Sequence, residues 1–330
     1  MRKARLELAR LAALEPKSSA STNSATLAKS GIFYSNQPRA SFLSNSFFYN
    51  PFPHRDYGLD YAVEHYENFP VASALLPRRL RYPVRLIYAF ARQADDFADE
   101  GDDAPPVRLA KLDAFRAELD RIERGAQPQT QLFADLAPVI AQYRLPIQLF
   151  RDLLDAFSQD VVKTRYAHFG EVMDYCRRSA NPVGRLLLHL YGETDARKLA
   201  QSDGICSALQ LINFLQDVPI DYAKDRVYLP QDELAQYGIT EAQIAQGNTG
   251  GAWRPFMRFQ IERTRKLLQA GAPLGTALHG RIGLELRMIV MGGERILKKL
   301  HAVEGDVFHH RPVLRPLDWV YMTYRALRAK

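Results

Sequence analysis

Nine consecutive residues, Arg92-Gln93-Ala94-Asp95-Asp96-Phe97-Ala98-Asp99-Glu100, carry the densest candidate chemistry in the chain. They continue an apolar run in which Val84, Ile87, Tyr88 and Ala91 fall three or four apart, the period of a buried helical face. The same face then turns acidic: six of the nine residues from Asp95 to Asp103 are Asp or Glu. Asp95 and Asp99 sit one turn apart, where like charges repel by about 0.2–0.5 kcal/mol. They also approach a helix end expected at Gly101, where the dipole disfavours negative charge by roughly 0.3–1 kcal/mol. Taken alone, the run reads as a solvated helix end. A second cluster changes the weight: Asn213, Asp217, Asp221 and Asp225 recur every four residues, after the apolar positions Ile205, Leu209 and Ile212. Two helices that each end in spaced carboxylates could point both clusters into one cavity. Oxygen-only ligands suit Mg²⁺, held by one or two carboxylates per ion plus substrate phosphates. Neither cluster holds His or Cys, which argues against zinc.

Composition sets the wider frame. The 330 residues are 47% hydrophobic and 25% charged, with a net charge of +7. Residues 1–55 hold eight Lys/Arg against two acids, so the rest of the chain is nearly balanced. The basic pI is therefore no argument for nucleic-acid binding. Residues 1–56 read as a disordered basic, Ser-rich extension, with a loose likeness to a transit peptide; residues 57–330 read as one folded domain. Cys176 and Cys206 lack metal-ligand spacing and read as reduced core thiols. No apolar run is long enough to span a bilayer. The expected location is cytoplasmic, with peripheral membrane contact left open.

The elements that must position the two clusters are all helical. Helices are expected at about 60–69, 83–100, 105–124, 130–143, 146–162, 169–191 (broken at Pro182), 196–222 (kinked at Pro219), 231–246, 252–270, 275–303 and 316–328. No strand alternation and no internal repeat is visible. The fold class is all-α, a single bundle of about ten helices around a central cavity.

No G-x-x-x-x-G-K-[ST] and no strand-linked G-x-G-x-x-G is present, so neither an ATP-driven nor a nicotinamide-dependent step is indicated. Facing carboxylates without a P-loop suit a diphosphate held through Mg²⁺, whose charge is neutralised as it leaves carbon. An apolar helical cavity would then shield a carbocation from water. The chemistry that fits is that of isoprenoid diphosphates.

At these residues the chain resembles a known family. Leu76-Pro77-Arg78-Arg79, Tyr88-Ala89-Phe90, Asp95-Asp96-Phe97-Ala98-Asp99, Tyr175-Cys176, Asn213 to Asp221 and Arg226-Val227-Tyr228-Leu229-Pro230 look like the squalene/phytoene synthases over about residues 60–300. His65 to Pro70, Arg177 to Gly184 and Gln216-Asp217-Val218-Pro219 resemble its hydroxysqualene synthase branch. That branch ionises presqualene diphosphate, opens the cyclopropane and captures the cation with water. The resemblance implies Asp95, Asp96, Asp99, Asp217 and Asp221 as Mg²⁺ ligands. It implies Arg92, Asn213, Gln216 and Arg226 at the substrate diphosphate, and Tyr88 and Tyr175 near the reacting carbons. A presqualene diphosphate synthase is the implied functional partner. Condensation of two prenyl diphosphates is the alternative reaction. A non-enzymatic assembly protein is the alternative of another class, although such a protein would be expected to lose the carboxylates that are complete here.

Two departures from the family pattern stand out. Gln216 occupies a position that is Arg in many relatives, so one diphosphate contact is missing or supplied elsewhere. Tyr66-Glu67-Asn68-Phe69 stands where many relatives read Ser-x-Ser-Phe. Glu67 and Asn68 either orient the quenching water by hydrogen bonding or only adjust local capping and phosphate contacts. Mass spectrometry of products from Glu67→Ala and Asn68→Ser variants separates these: loss of the hydroxylated product is expected if they hold the water, and an unchanged yield excludes that role.

Overall fold

The structure, a computed structural model, describes residues 76–328; the expected helix at 60–69 and the Ser-rich extension lie outside the described residues. Fourteen helices follow in chain order: α1 Arg78–Asp99, α2 Pro105–Glu123, α3 Gln131–Tyr143, α4 Ile147–Val162, α5 Phe169–Ser179, α6 Asn181–Tyr191 and α7 Ala196–Gln216. They continue with α8 Val218–Tyr222, α9 Gln231–Gln236, α10 Glu241–Ala245, α11 Trp253–Gly271, α12 Leu274–Ala277, α13 Arg281–Ala302 and α14 Pro316–Arg328. Among the described residues there is no strand, only an isolated parallel bridge between Arg165 and Val227. The larger number of helices reflects local breaks. Left-handed Gly238 divides α9 from α10, and left-handed Gly280 precedes α13. Pro182 and Pro219 each stand at the second position of a new helix, behind breaks at Ala180 and Asp217.

Helix α1 starts five residues earlier than expected and carries Pro83 in its second turn. A proline there deprives the Arg79 carbonyl of its helical donor. The Tyr143 hydroxyl of α3 reaches that carbonyl at 3.4 Å and eases the loss. At its other end α1 stops at Asp99, Glu100 is extended, and Gly101 turns left-handed. The Arg108 guanidinium covers this end, donating to the carbonyls of Ala98 (2.5 Å), Gly101 (2.6 Å) and Asp103 (2.7 Å).

Helices α1 to α4 and α6 share one core. Phe90 is its centre, with no exposed surface, stacked on Phe115 and edge-on to Phe133 and Phe150 at centroid distances of 5.6, 5.8 and 5.2 Å. The expected stripe of Val84, Tyr88 and Ala91 is only half-buried and runs along the edge of that core; Leu80, Leu86, Ile87, Phe90 and Ala94 form the buried face. A second core gathers around α7, α11 and α13. From Ile205 to Gln216 every residue of α7 is buried, so this helix is wrapped on all sides and holds the second carboxylate cluster rigidly. Cys176 and Cys206 are free and buried, as expected of core thiols.

The crossing of α7 and α11 depends on Gly271. A Cβ there would stand 2.5 Å from the Gln201 carbonyl oxygen and 2.7 Å from the Ile205 side chain. Gly271→Ala is expected to push the two helices apart and destabilise the protein by about 1–3 kcal/mol, read as a lower midpoint in thermal unfolding.

Candidate active site

The last turns of α1 present Tyr88, Arg92, Asp95, Asp96 and Asp99. Arg92 lies 2.8 Å from Asp96, 3.9 Å from Asp95 and 3.7 Å from Glu100. It supplies part of the compensating positive charge that the acidic helix end requires. Tyr88 is half-buried; burial raises its phenol above the ordinary value, the Asp96 and Asp95 charges add to that, and Arg92 opposes it.

The second cluster keeps its four-residue spacing through a break in the helix. Asp217 ends α7 with φ −106°, yet its N–H still donates to the Asn213 carbonyl at 2.9 Å, and the Asp221 N–H donates to the Asp217 carbonyl at 2.8 Å. Asn213, Asp217 and Asp221 therefore remain in register although the axis changes at Asp217. All three are buried. Burial pushes the Asp221 carboxyl well above the ordinary range, and the Asp217 charge adds to it.

Arg226 joins the two clusters. Its backbone N–H donates to the Asp221 carbonyl at 2.9 Å. Its guanidinium forks onto Asp99, 2.8 Å and 3.3 Å to the two carboxylate oxygens, and donates to the Asp160 carbonyl at 3.1 Å. Side chains of both partners are nearly buried, 11% and 6% exposed, so the pair acts with little solvent screening. The first motif is thus tied to the residue that closes the second.

Sequence reasoning missed two contributors, Arg311 and Asp160. Arg311, in the loop after α13, sets its Nε 2.7 Å from the Asp217 carboxylate, 94 positions away in sequence. The adjacent residues form a second tie: Gln216 Nε2 donates to the Pro312 carbonyl at 2.6 Å. Gln216 therefore fastens the loop that carries Arg311. Asp160 of α4, also buried, accepts from the Tyr175 hydroxyl at 3.0 Å. Tyr175 has no exposed surface and lies among Tyr166, Phe214 and Tyr228. Glu67 and Asn68 lie outside the described residues. No spacing rule links Arg311 to Asp217; the one available signal is a basic loop between two helices.

The donor set is hard oxygen throughout and faces guanidinium groups, which suits a cation and an anion arriving together. Among the described residues no three His, Cys, Asp or Glu side chains form a ready-made cage. The carboxylates fit Mg²⁺ in the mode in which protein supplies one or two ligands and phosphate oxygens and water supply the rest.

A separate polar pair lies far from these carboxylates. Tyr191, at the end of α6, has a buried hydroxyl with no hydrogen-bond partner among the described residues. Burial raises its phenol to about 12, and the charge of Glu285 on α13 adds to the shift. Arg79, at the start of α1, is another neighbour, which puts the pair on the order of 24 Å along α1 from Asp95 at 1.5 Å per residue.

The helical bundle and the paired carboxylate motifs agree with comparisons to known proteins, which show an enzyme family that processes prenyl diphosphates. The chain belongs to the squalene/phytoene synthase family, whose model matches residues 62–318. It is 36% identical to the hydroxysqualene synthase of Rhodopseudomonas palustris over 267 residues, 80% of this chain and 89% of that one. It is 33% identical to chloroplastic phytoene synthase 1 of Arabidopsis thaliana, over 76% of this chain and 60% of that one. Among solved structures, squalene synthase HpnC from Alicyclobacillus acidocaldarius superposes with a TM-score of 0.69 at 36% identity, covering 73% of this chain and 90% of that one. A dehydrosqualene synthase in complex with ligand gives a TM-score of 0.70 at 19% identity, covering 82% and 92%, a likeness of fold.

Burial raises the Glu285 carboxyl from its ordinary 4.5 to about 8. A carboxyl raised in the folded state stabilises the protein fully at low pH, and that contribution is lost as pH rises from about 4.5 through about 8. Glu285→Gln is accordingly expected to raise the thermal midpoint relative to wild type at pH 8 and to leave it nearly unchanged at pH 4, measured by calorimetry across that range.

Proposed function

We propose that the protein converts presqualene diphosphate and water to hydroxysqualene and diphosphate, with Mg²⁺ as cofactor. The observation that carries this reading is the closure of the two carboxylate motifs by Arg226, whose guanidinium holds Asp99 while its backbone is bonded to Asp221. Asp95, Asp96, Asp99, Asp217 and Asp221 are the candidate ligands of the cation, and Arg92, Asn213, Arg226 and Arg311 are the candidate contacts to phosphate oxygens. Gln216 acts on the same site by fixing Pro312, and with it Arg311. Bound Mg²⁺ supplies charge neutralisation at the leaving diphosphate.

In this reading the carbon–oxygen bond to diphosphate breaks, the cyclopropane opens, and the oxygen of water bonds to the resulting cation while its surplus proton passes to diphosphate or solvent. The chain's contribution is to hold the diphosphate with guanidinium groups and to keep all but one water away. The half-buried edge of α1, with Val84, Tyr88 and Ala91 leading to Asp95, offers an apolar and aromatic wall beside the carboxylates. Similarity to enzymes named hydroxysqualene synthase supports the product assignment. Similarity to phytoene synthases keeps head-to-head condensation as the second reading. A presqualene diphosphate synthase is the partner that this activity calls for.

The test is a product assay with purified protein, presqualene diphosphate and Mg²⁺, without NADPH. Hydroxysqualene is expected by mass spectrometry. Asp95→Asn or Asp217→Asn should reduce its rate by at least about a hundredfold, the scale for losing electrostatic stabilisation at a leaving group. Chelation of the metal should abolish turnover. Consumption of farnesyl diphosphate with presqualene diphosphate untouched would move the protein to the condensing reaction, and inactivity on both would favour a non-enzymatic role.

A further inference from the structure

We propose that the outward face of α14 is a docking surface for an anionic lipid bilayer. Helix α14 has two apolar faces. One buries Trp319, Met322 and Ala326 against Met288 of α13 and needs no further partner. The opposite face carries Leu317, Val320, Tyr321, Tyr324 and Leu327, which are 82, 67, 48, 51 and 66% exposed. At 100° per residue these five positions fall on one side of the helix, away from the packed side. Single exposed apolar residues are ordinary, but five on one face of one helix form a patch.

The charge around the patch selects the occupant. Arg325 and Arg295 of α13 both lie over the Tyr321 ring, and Arg328 over the Tyr324 ring. The only acid in α14, Asp318, is buried and paired with Arg295 and Lys299, so it contributes no exposed negative charge. The accessible face is thus leucine, valine and tyrosine with arginine among them, the composition of a helix lying in a bilayer interface with its cations at anionic headgroups. A second copy of the same face would bring Arg325 and Arg328 near their own counterparts with no carboxylate between them, which disfavours self-pairing. Among the described residues no helix is long and apolar enough to cross a membrane, so contact through α14 would be peripheral. This inference rests on the surface, independently of the reaction proposed above.

The experiment is flotation of the full chain, without substrate, on vesicles of phosphatidylcholine alone and of phosphatidylcholine with about one-third phosphatidylglycerol. Wild type is expected to float with the anionic vesicles, and more weakly with the neutral ones. Leu317→Ser, Val320→Ser and Leu327→Ser combined should lower the partition coefficient roughly tenfold or more on both. Arg325→Glu with Arg328→Glu should lower it on the anionic vesicles and remove its salt dependence. All substitutions lie on the exposed face, so the thermal midpoint should hold. In a Tyr321→Trp variant, the new indole should be quenched by brominated acyl chains. Wild type that fails to float, combined variants that float equally well, or an unquenched indole would overturn the proposal. So would a wild-type dimer that the serine variant converts to monomer with flotation unchanged. Turnover of detergent-dispersed presqualene diphosphate by the variants reports separately on the proposed reaction.

Discussion

Buried carboxylates set the terms for the rest of this molecule. Asp95, Asp99, Asp217 and Asp221 are held out of water at the ends of two helices, where an unpaired charge would be strongly unfavourable. Each cluster is met by arginine. Arg92 comes from the same helix as the first motif, Arg226 from the loop beyond the second, and Arg311 from the far end of the bundle. Two of these three pairings span long stretches of sequence, and Arg226–Asp99 forms only when α1 meets the segment after α8. The charge balance that makes the carboxylates tolerable is therefore also what aligns α1 with α7 and α8. In the function proposed above, a cation would compete for these carboxylates while the freed guanidinium groups accept an anion.

An aromatic wedge keeps Arg226 in place. Phe214 of α7 and Tyr228 stack with centroids 3.9 Å apart, Tyr166 stacks on Tyr228, and Tyr175 packs against Phe214, Tyr166 and Tyr228. The segment carrying Tyr228 is also stitched to the α4–α5 connection, Val227 N–H to the Thr164 carbonyl and Gln231 N–H to the Tyr166 carbonyl, each at 2.9 Å. Arg226 sits one residue before the first of these bonds and cannot swing far from Asp99. The Tyr175 hydroxyl is committed to Asp160, whose carbonyl accepts from Arg226.

The helical class and the carboxylates as far as Asp221 were legible because they rest on local rules of period, caps, proline and spacing of like charges; Asp225, read with them, instead lies exposed at positive φ and pairs with Arg165. The apolar positions Ile205, Leu209 and Ile212 are buried as their spacing implied. Errors arose where tertiary partners override those rules. Pro83 reads as a helix start, yet α1 begins five residues before it, with the Tyr143 hydroxyl 3.4 Å from the Arg79 carbonyl that Pro83 deprives of its helical donor. The stripe at Val84, Tyr88 and Ala91 has helical spacing, yet the fully buried face is turned toward Leu86 and Phe90. Spacing gives a period and leaves open which of two neighbouring faces meets the core. Arg311 and Asp160 could not be found at all, since their partners are set by how distant helices cross. Gln216 was visible as a departure, and its bond to Pro312 gives the departure a physical meaning.

The same contacts fix the orientation of α14 relative to the carboxylates. Arg311 and Pro312 are fastened to Asp217 and Gln216. Lys299 of α13 then holds the Val313 carbonyl at 2.7 Å, and the Arg315 N–H donates to Asp318 at 2.7 Å in the first turn of α14. Asp318 is in turn paired with Arg295 and Lys299. From Arg311 to Asp318 the chain is tied at nearly every second residue, which leaves little freedom for α14 to move as a tethered arm. A surface engaged by α14 would therefore meet the bundle in one orientation, with the carboxylate clusters at a set position relative to it. For the reaction proposed above, such a fixed placement would shorten the path between a surface holding an apolar substrate and the arginines proposed to meet its diphosphate.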